Sequence, residues 1–329
     1  MRAAVVRELG EPRAVVTIAD VPTPEPSAGQ VLVEVLAGAI NFPDVLMIRG
    51  GYQERPPLPF TPGVEVCGRV VGVGEGVAGV PLGARVLGTT AMPTGGLAEY
   101  CLMPASDVHP APASLDDAQA AALHIAYQTG WFSLHRRAQL RPGETLLVHA
   151  AAGGVGTAAV QLGKAAGARV IGVVGSEDKA AAAAAAGADI VVLRGEQDFV
   201  DVVKEATGGR GADVVFDPVG GDSYQRSTKC IAFEGRMLVV GFAGGEIPAP
   251  ALNHALVKNY SIVGVHWGLY RRFDPGSVSA CHEELSRLAA ERVVVPLVSA
   301  RAPLIRAADA VQRVGDGTTT GRVVVVPAL

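Results

Sequence analysis

The run Thr-Leu-Leu-Val-His-Ala-Ala-Ala-Gly-Gly-Val-Gly, from Thr145 to Gly156, limits what this chain can fold into more than any other segment. Thr145 to His149 are strand-forming residues, and Thr157 to Ala166 reads as a helix. A strand that turns abruptly into a helix leaves unpaired N–H groups and a positive dipole end aimed at one spot, which suits a pyrophosphate. Ala151, Gly153 and Gly156 fall at the spacing of a dinucleotide-binding loop, with alanine at the first of the three glycine positions. Glycine is needed there so that backbone can approach phosphate and the helix can pack on its strand. Ala152, Gly153, Gly154 and Val155 are therefore the candidate pyrophosphate contacts. The motif alone also admits a small-residue turn in an ordinary α/β protein.

The chain beyond the loop favours the first reading. Ala168–Val174, Ile190–Leu193, Asp213–Asp217, Arg236–Gly241 and Ser261–Val265 read as strands, mostly unbroken Val/Ile/Leu runs of the kind buried on both faces of a parallel sheet. Asp178–Ala186, Phe199–Thr207 and Ser223–Phe233 read as the helices between them. Alanine is the best helix former and Gly187 stands where a C-cap belongs, so the alanine run is a helix and not low complexity. This alternation predicts a doubly wound sheet of six parallel strands.

The flanking chain differs in kind. Up to about residue 122 it is rich in proline, glycine and β-branched residues, with short strands expected at Val31–Ala37, Glu65–Val73, Arg85–Leu87 and Leu97–Leu102. Asp274–Arg292 reads as a helix and Arg322–Val326 as a last strand. We expect a β domain over 1–122, a nucleotide domain over 123–265, and a return segment over 266–329 that completes the first domain. The 329 residues allow two cores, and 49% apolar with 18% charged residues excludes a disordered chain. A net charge of −4 without a basic block argues against nucleic acid, and no apolar stretch reads as a membrane span. Cys67, Cys101, Cys230 and Cys281 form no C-x-x-C pair. With no secretion signal in Met1–Glu8, they are expected to be free thiols of a cytoplasmic protein.

Several further motifs carry a resemblance. Asn41-Phe-Pro-Asp, Pro62-Gly-Val-Glu-Val-Cys-Gly, Gly95-Gly-Leu-Ala-Glu-Tyr, Asp217-Pro-Val-Gly-Gly, Glu234-Gly-Arg-Met-Leu-Val-Val-Gly-Phe-Ala-Gly-Gly and Thr320-Gly-Arg-Val-Val-Val occur in order along the chain. Together with the loop, they resemble the zinc-independent branch of the medium-chain dehydrogenases/reductases, in its NADPH:quinone oxidoreductase, ζ-crystallin-like group. The resemblance covers essentially the whole chain. It implies a GroES-like β domain, a Rossmann domain, and a homodimer joined through the Rossmann sheet edges.

A catalytic zinc in that superfamily needs an early cysteine and a His-Glu pair after Pro-Gly. Here Ile40 and Asn41 occupy the early loop and Val64 precedes Glu65. Valine has no lone pair to donate, and Glu65 alone cannot hold zinc. Gly88–Leu97 lacks the cysteines of a structural zinc, and the seven histidines are scattered, with His149 ending a buried strand. We therefore expect no metal. The remaining chemistry is hydride transfer from NADPH to an electron-poor acceptor, a quinone or another α,β-unsaturated carbonyl.

The resemblance assigns Asn41 to position the nicotinamide ribose and the substrate; the other reading is a turn residue before Pro43. Tyr52 either donates a proton to the reduced oxygen or lines the pocket. Thr129 by resemblance meets the nicotinamide carboxamide, or else bonds back to its own helical turn. Gly241, Phe242 and Ala243 follow a strand end where ligands bind in open α/β sheets, and Val219 and Arg322 complete the cofactor set, with Arg313 the alternative to Arg322. His266, Trp267 and Tyr270 form an aromatic cluster that either walls a flat acceptor or packs the domain junction. An NAD site places an acid at the end of the second strand, whereas Gly175 and Ser176 stand there. Ser176, Lys179 and Arg194 are expected to hold a 2′-phosphate, against the competing Glu177. Two alternatives stay open. One is an enoyl-thioester reductase with a basic rim of Arg49, Arg271 and Arg272; the other is a low-turnover NADPH-binding protein of crystallin type.

Overall fold

The structure is a computed structural model that describes residues 1–329. The chain forms two compact units, Met1–Ile125 with Asp274–Leu329, and Ala126–Phe273.

The Ala126–Phe273 unit is built on a six-stranded sheet. Across it the strands run Ile190–Leu193, Arg169–Val174, Thr145–His149, Ala212–Asp217, Ile231–Val239, Ser261–Gly264, every neighbouring pair parallel. In chain order this is 3-2-1-4-5-6, the doubly wound arrangement, with its reversal between Thr145–His149 and Ala212–Asp217. Residues 146–148 and 214–216 are fully buried, as unbroken apolar runs covered on both faces should be. The helices are Gly154–Ala165, Glu177–Ala185, Phe199–Ala206 and Gly221–Ser227.

One expected helix is shorter than the sequence suggests. It ends at Ser227 instead of Phe233, and Ile231 already pairs with Ala212 in the sheet. Ile231 and Ala232 gain more by burial in the sheet than a helix face would give them. The register then slips before Val214 pairs with Arg236, and Glu234 at φ 55° absorbs the slip. Helix His124–Trp131 runs directly into a π-helical turn, Phe132–Arg137.

The second unit carries a seven-stranded sheet ordered Val298–Pro303, Arg322–Val326, Gln30–Ala39, Glu65–Val73, Arg85–Thr89, Val108–Pro110, with Tyr100–Pro104 also on Gln30–Ala39. The return segment therefore adds its last strand beside Gln30–Ala39, antiparallel, pairing Val324 with Ala39. A two-stranded ribbon, Arg2–Val6 with Val16–Asp20, was not expected from sequence. One core gathers Ile40, Val45, Ile48 and Phe60 with Val311 and Val323; another gathers Val31, Val33, Val66 and Met103. All four cysteines are buried and unpaired. No helix is long and apolar enough to cross a membrane.

Candidate active site

In the Ala126–Phe273 unit every sequence-predicted nucleotide residue after residue 150 lies just beyond the carboxyl end of a parallel strand, where open α/β sheets bind ligands. Helix Gly154–Ala165 starts inside the glycine run, with Gly153 as its N-cap. A Cβ on Gly156 would lie 2.0 Å from the Ala150 carbonyl oxygen, so only glycine lets the helix sit this close to its strand. Ala151, in place of the first motif glycine, is tolerated because Gly172 faces it: a Cβ on Gly172 would come within 2.8 Å of the Ala151 Cβ.

On the other side of the topological reversal, the Asp217 carboxylate accepts the N–H groups of Val219 (2.8 Å) and Gly220 (3.0 Å). Burial pushes its pKa upward. The next loop zips onto this one, Ala243 N to Pro218 O at 3.0 Å and Gly244 N to Val219 O at 2.9 Å, which brings Val219, Gly241, Phe242 and Ala243 together. Phe242 is 37% exposed and so is not a core residue. Thr129 lies half-buried in helix His124–Trp131, and its hydroxyl bonds to nothing in the protein, not even its own turn.

At the end of the second strand of this sheet, Gly175 and Ser176 are exposed. The Arg194 guanidinium lies across Gly175, its Nη2 3.3 Å from where a Cβ would stand, and it has no ion-pair or hydrogen-bond partner. Lys179 is half-buried on the first turn of helix Glu177–Ala185. Of the two cations at this strand end, Arg194 is exposed and Lys179 half-buried.

His266–Phe273 belongs to this unit and not to the return segment. The reason is packing: the buried Trp267 donates its indole N–H to Gln128 Oε1 at 3.0 Å, and Tyr270 lies 4.2 Å from the Phe132 ring, under Arg136. Of the aromatic cluster, Trp267 takes the packing role and His266 alone is exposed.

In the other unit, Asn41 caps helix Phe42–Ile48 and is buried. Its Nδ2 donates to Glu65 Oε2 (2.9 Å) and its Oδ1 accepts from Arg322 Nη1 (2.8 Å). Arg322 Nη2 donates to the same Glu65 oxygen at 2.6 Å, and Ile125 N donates to Glu65 Oε1 at 2.7 Å. Arg322, expected among the cofactor residues, is therefore first a buried partner of Glu65, with only its Nε lacking an acceptor. Asp44 anchors the next turn by accepting N–H groups from Asn41, Gly63 and Val64, and burial pushes its pKa up to about 6. Tyr52 is half-buried against the core around Ile48 and Phe60. Arg49 pairs with Glu11 at 2.7 Å, which takes up its charge.

Two family models match: the alcohol dehydrogenase GroES-like domain over residues 27–113 and the zinc-binding dehydrogenase over residues 154–283. The quinone oxidoreductase-like protein 2 homolog of Nematostella vectensis is 40% identical over 326 residues, 98% of this chain and 88% of that protein. The chain belongs to the quinone oxidoreductase family of the medium-chain dehydrogenases/reductases. Among solved structures, a probable oxidoreductase from Mycobacterium abscessus is 39% identical with a TM-score of 0.89, covering 99% of both chains. Escherichia coli quinone oxidoreductase complexed with NADPH is 31% identical with a TM-score of 0.91, covering 99% of this chain and 100% of that one.

The zinc named in one family description does not fit the residues present. Glu65 is closed off by Arg322, Asn41 and Ile125 N. Val64 offers no donor atom, and Cys67 and Cys101 lie buried in the sheet. The guanidinium supplies the positive charge that a metal would bring to this carboxylate.

The histidines, however, are not scattered as the sequence suggested. Sequence reading missed that His109, His124 and His282 gather beside Asp107, because only the folded sheet brings their segments together. His149 is separate and structural: it is buried, 2.7 Å from Ser227 Oγ, and desolvation lowers its pKa to about 3.

Proposed function

We propose that this chain is an NADPH-dependent reductase that transfers hydride, without a catalytic metal, to a quinone or another α,β-unsaturated carbonyl. The observation that carries the reading is the unpartnered Arg194 guanidinium across Gly175, at the strand end where an NAD site would place an acid. Bound there, NADPH supplies the hydride. The amino end of helix Gly154–Ala165 faces the pyrophosphate with its N–H groups, and Gly156 lets that helix pack close on its strand. Ser176, Lys179 and Arg194 hold the 2′-phosphate. Val219, Gly241, Phe242 and Ala243 flank the nicotinamide half, and Thr129 offers its hydroxyl to the carboxamide.

Asn41, fixed by Glu65 and Arg322, orients the ribose and the acceptor. Tyr52 or water supplies the proton that completes the reduction after hydride addition. The ring of His266 borders the acceptor. A homodimer through the Rossmann edge fits strand Ser261–Gly264, which lies at the sheet margin. Nearby Phe233, Leu252, Leu256 and Val257 are more than 70% exposed, an apolar face a second copy would cover. Light scattering on the eluting protein tests the dimer.

The test of function is NADPH oxidation with a panel of quinones, enones and enoyl thioesters. Preference for quinones or simple enones supports the proposal. Preference for enoyl thioesters assigns the chain to thioester reduction instead, and tight NADPH binding without turnover on any acceptor assigns it a binding role.

A further inference from the structure

We propose that Asp107, His109 and His124 form a binding site for a divalent transition-metal ion of the Zn²⁺ class, apart from the hydride-transfer site. Asp107 ends the turn Ala105–Asp107, His109 lies in strand Val108–Pro110, and His124 opens helix His124–Trp131. All three are at least nine-tenths buried.

Asp107 Oδ1 stands 3.3 Å from His124 Nε2 and 3.6 Å from His109 Nε2, and one ligand atom from each residue fits within 4.8 Å of the others. Zinc bonds of about 2.0 to 2.2 Å to nitrogen and oxygen put tetrahedral ligands about 3.3 Å apart. Two edges already have that length, and only the third must close.

The surroundings aim the donors inward. Thr89 donates both its N–H and its hydroxyl to Asp107 Oδ2, which turns Oδ1 toward the imidazoles. Partners of this kind orient metal ligands. The His282 ring stacks on His109 with centroids 4.7 Å apart and is itself held by Pro110 O at 2.9 Å, so it braces the ligand ring.

A purely hydrogen-bonded cluster leaves two ring nitrogens without a partner, His109 Nε2 and His282 Nδ1, and the first of them faces Asp107. His109 Nε2 is buried and has no hydrogen-bond partner, since 3.6 Å to Asp107 exceeds a hydrogen bond. A buried polar atom left so costs about 1 to 3 kcal/mol, and a metal ion would use its lone pair. One carboxylate and two imidazoles without thiolate suit Zn²⁺, Co²⁺ or Ni²⁺ rather than Ca²⁺ or Cu⁺. A cavity of about 400 Å³ lined by His109, His282, Glu283 and Ser286 opens beside the His109 ring.

The experiment uses untagged full-length protein, stripped with EDTA and titrated with Co²⁺, then competed with Zn²⁺. One equivalent should bind with a Kd of about 1 µM or tighter. Visible bands of a four- or five-coordinate Co²⁺ ion and a rise in Tm should accompany it. His109→Gln and His124→Gln should each weaken binding at least about tenfold, one decade in Kd, with unchanged circular dichroism. X-ray absorption on the zinc-loaded wild type covers the case in which neither variant folds; it should show imidazole and oxygen ligands only. No saturable binding up to about 100 µM, binding unaltered in both folded variants, or sulfur in the metal's ligand shell would overturn the proposal.

Discussion

Arg194→Ala isolates the group on which the proposed cofactor choice depends. The guanidinium lies 3.3 Å from the Cβ position of Gly175, beside exposed Ser176, and has no partner to lose when alanine replaces it. The fold should therefore be untouched and the effect confined to a ligand phosphate. A hydrogen bond to a charged group contributes about 1.5 to 3 kcal/mol, but Arg194 is exposed and solvent screening reduces this. About 1 to 2 kcal/mol remains, and at about 1.4 kcal/mol per decade the variant should bind NADPH about five- to thirtyfold more weakly. NADH lacks the 2′-phosphate and should bind unchanged. Salt gives a second readout, because screening sets in over about 10 Å at 0.1 M ionic strength. The wild-type preference for NADPH should shrink as salt rises, and that of Arg194→Ala should vary less. The assay is kcat/KM for both cofactors at several salt concentrations, with Kd from nicotinamide fluorescence. A wild type that prefers NADH, or a variant that loses both cofactors equally, would refute the reasoning and make Glu177 the ribose ligand.

Gly154→Asp sets a carboxylate at the first turn of helix Gly154–Ala165, where repulsion of a phosphate about 5 Å away is about 3 kcal/mol at an effective dielectric near 20; a fluorescence titration should show NADPH binding lost by more than tenfold. Asp44→Ala removes the acceptor of three buried N–H groups and should lower stability by about 3 kcal/mol, read as a fall in the urea midpoint. The pKa of His149 drops from 6.5 unfolded to about 3 folded, so the unfolded chain takes up a proton that the folded chain refuses. Stability should fall as pH drops through that window, by about 1.4 kcal/mol per pH unit from this residue, and His149→Gln should flatten the slope in urea titrations. Exhaustive chelation should leave kcat unchanged, because Glu65 is already neutralised by Arg322; loss of turnover restored by zinc would contradict the metal-free reading.

How much of this was legible depended on the range of the interaction that fixes each element. Strands 145–149 and 212–217 could be read because burial on both faces demands a local run of apolar residues, and the loop after residue 150 because its helix must start on small residues. The helix ending at Ser227 was misjudged because Ile231 leaves helical conformation only to pair with Ala212, a partner no local pattern reveals. Trp267 could be read as a pocket wall or as a packing residue, and the sequence could not decide because the Gln128 that fixes its N–H lies far away in sequence. The metal-ligand cluster was missed for the same reason: His124 and Asp107 meet through the fold, and nothing in their spacing resembles a metal motif. One signal was available, a histidine opening a helix inside an otherwise apolar stretch, Ala120–Ala126.

The network around Glu65 links what the sequence lacks to what the protein can do. A fully buried carboxylate needs a positive partner, and with no zinc ligands nearby the last strand supplies Arg322. Removing one member of such a pair costs about 3 to 5 kcal/mol, because the other charge is stranded. The replacement also has a chemical consequence. Two of the guanidinium nitrogens point at Glu65 and Asn41, so they organise the site and do not withdraw electrons from an acceptor as a Lewis acid would. An unactivated ketone would then face the full barrier to hydride addition. A conjugated acceptor spreads the developing charge over its own π system, and the protein need only hold it in line. A carboxylate paired with Arg322 and Asn41 therefore fits the proposed quinone or enone acceptor.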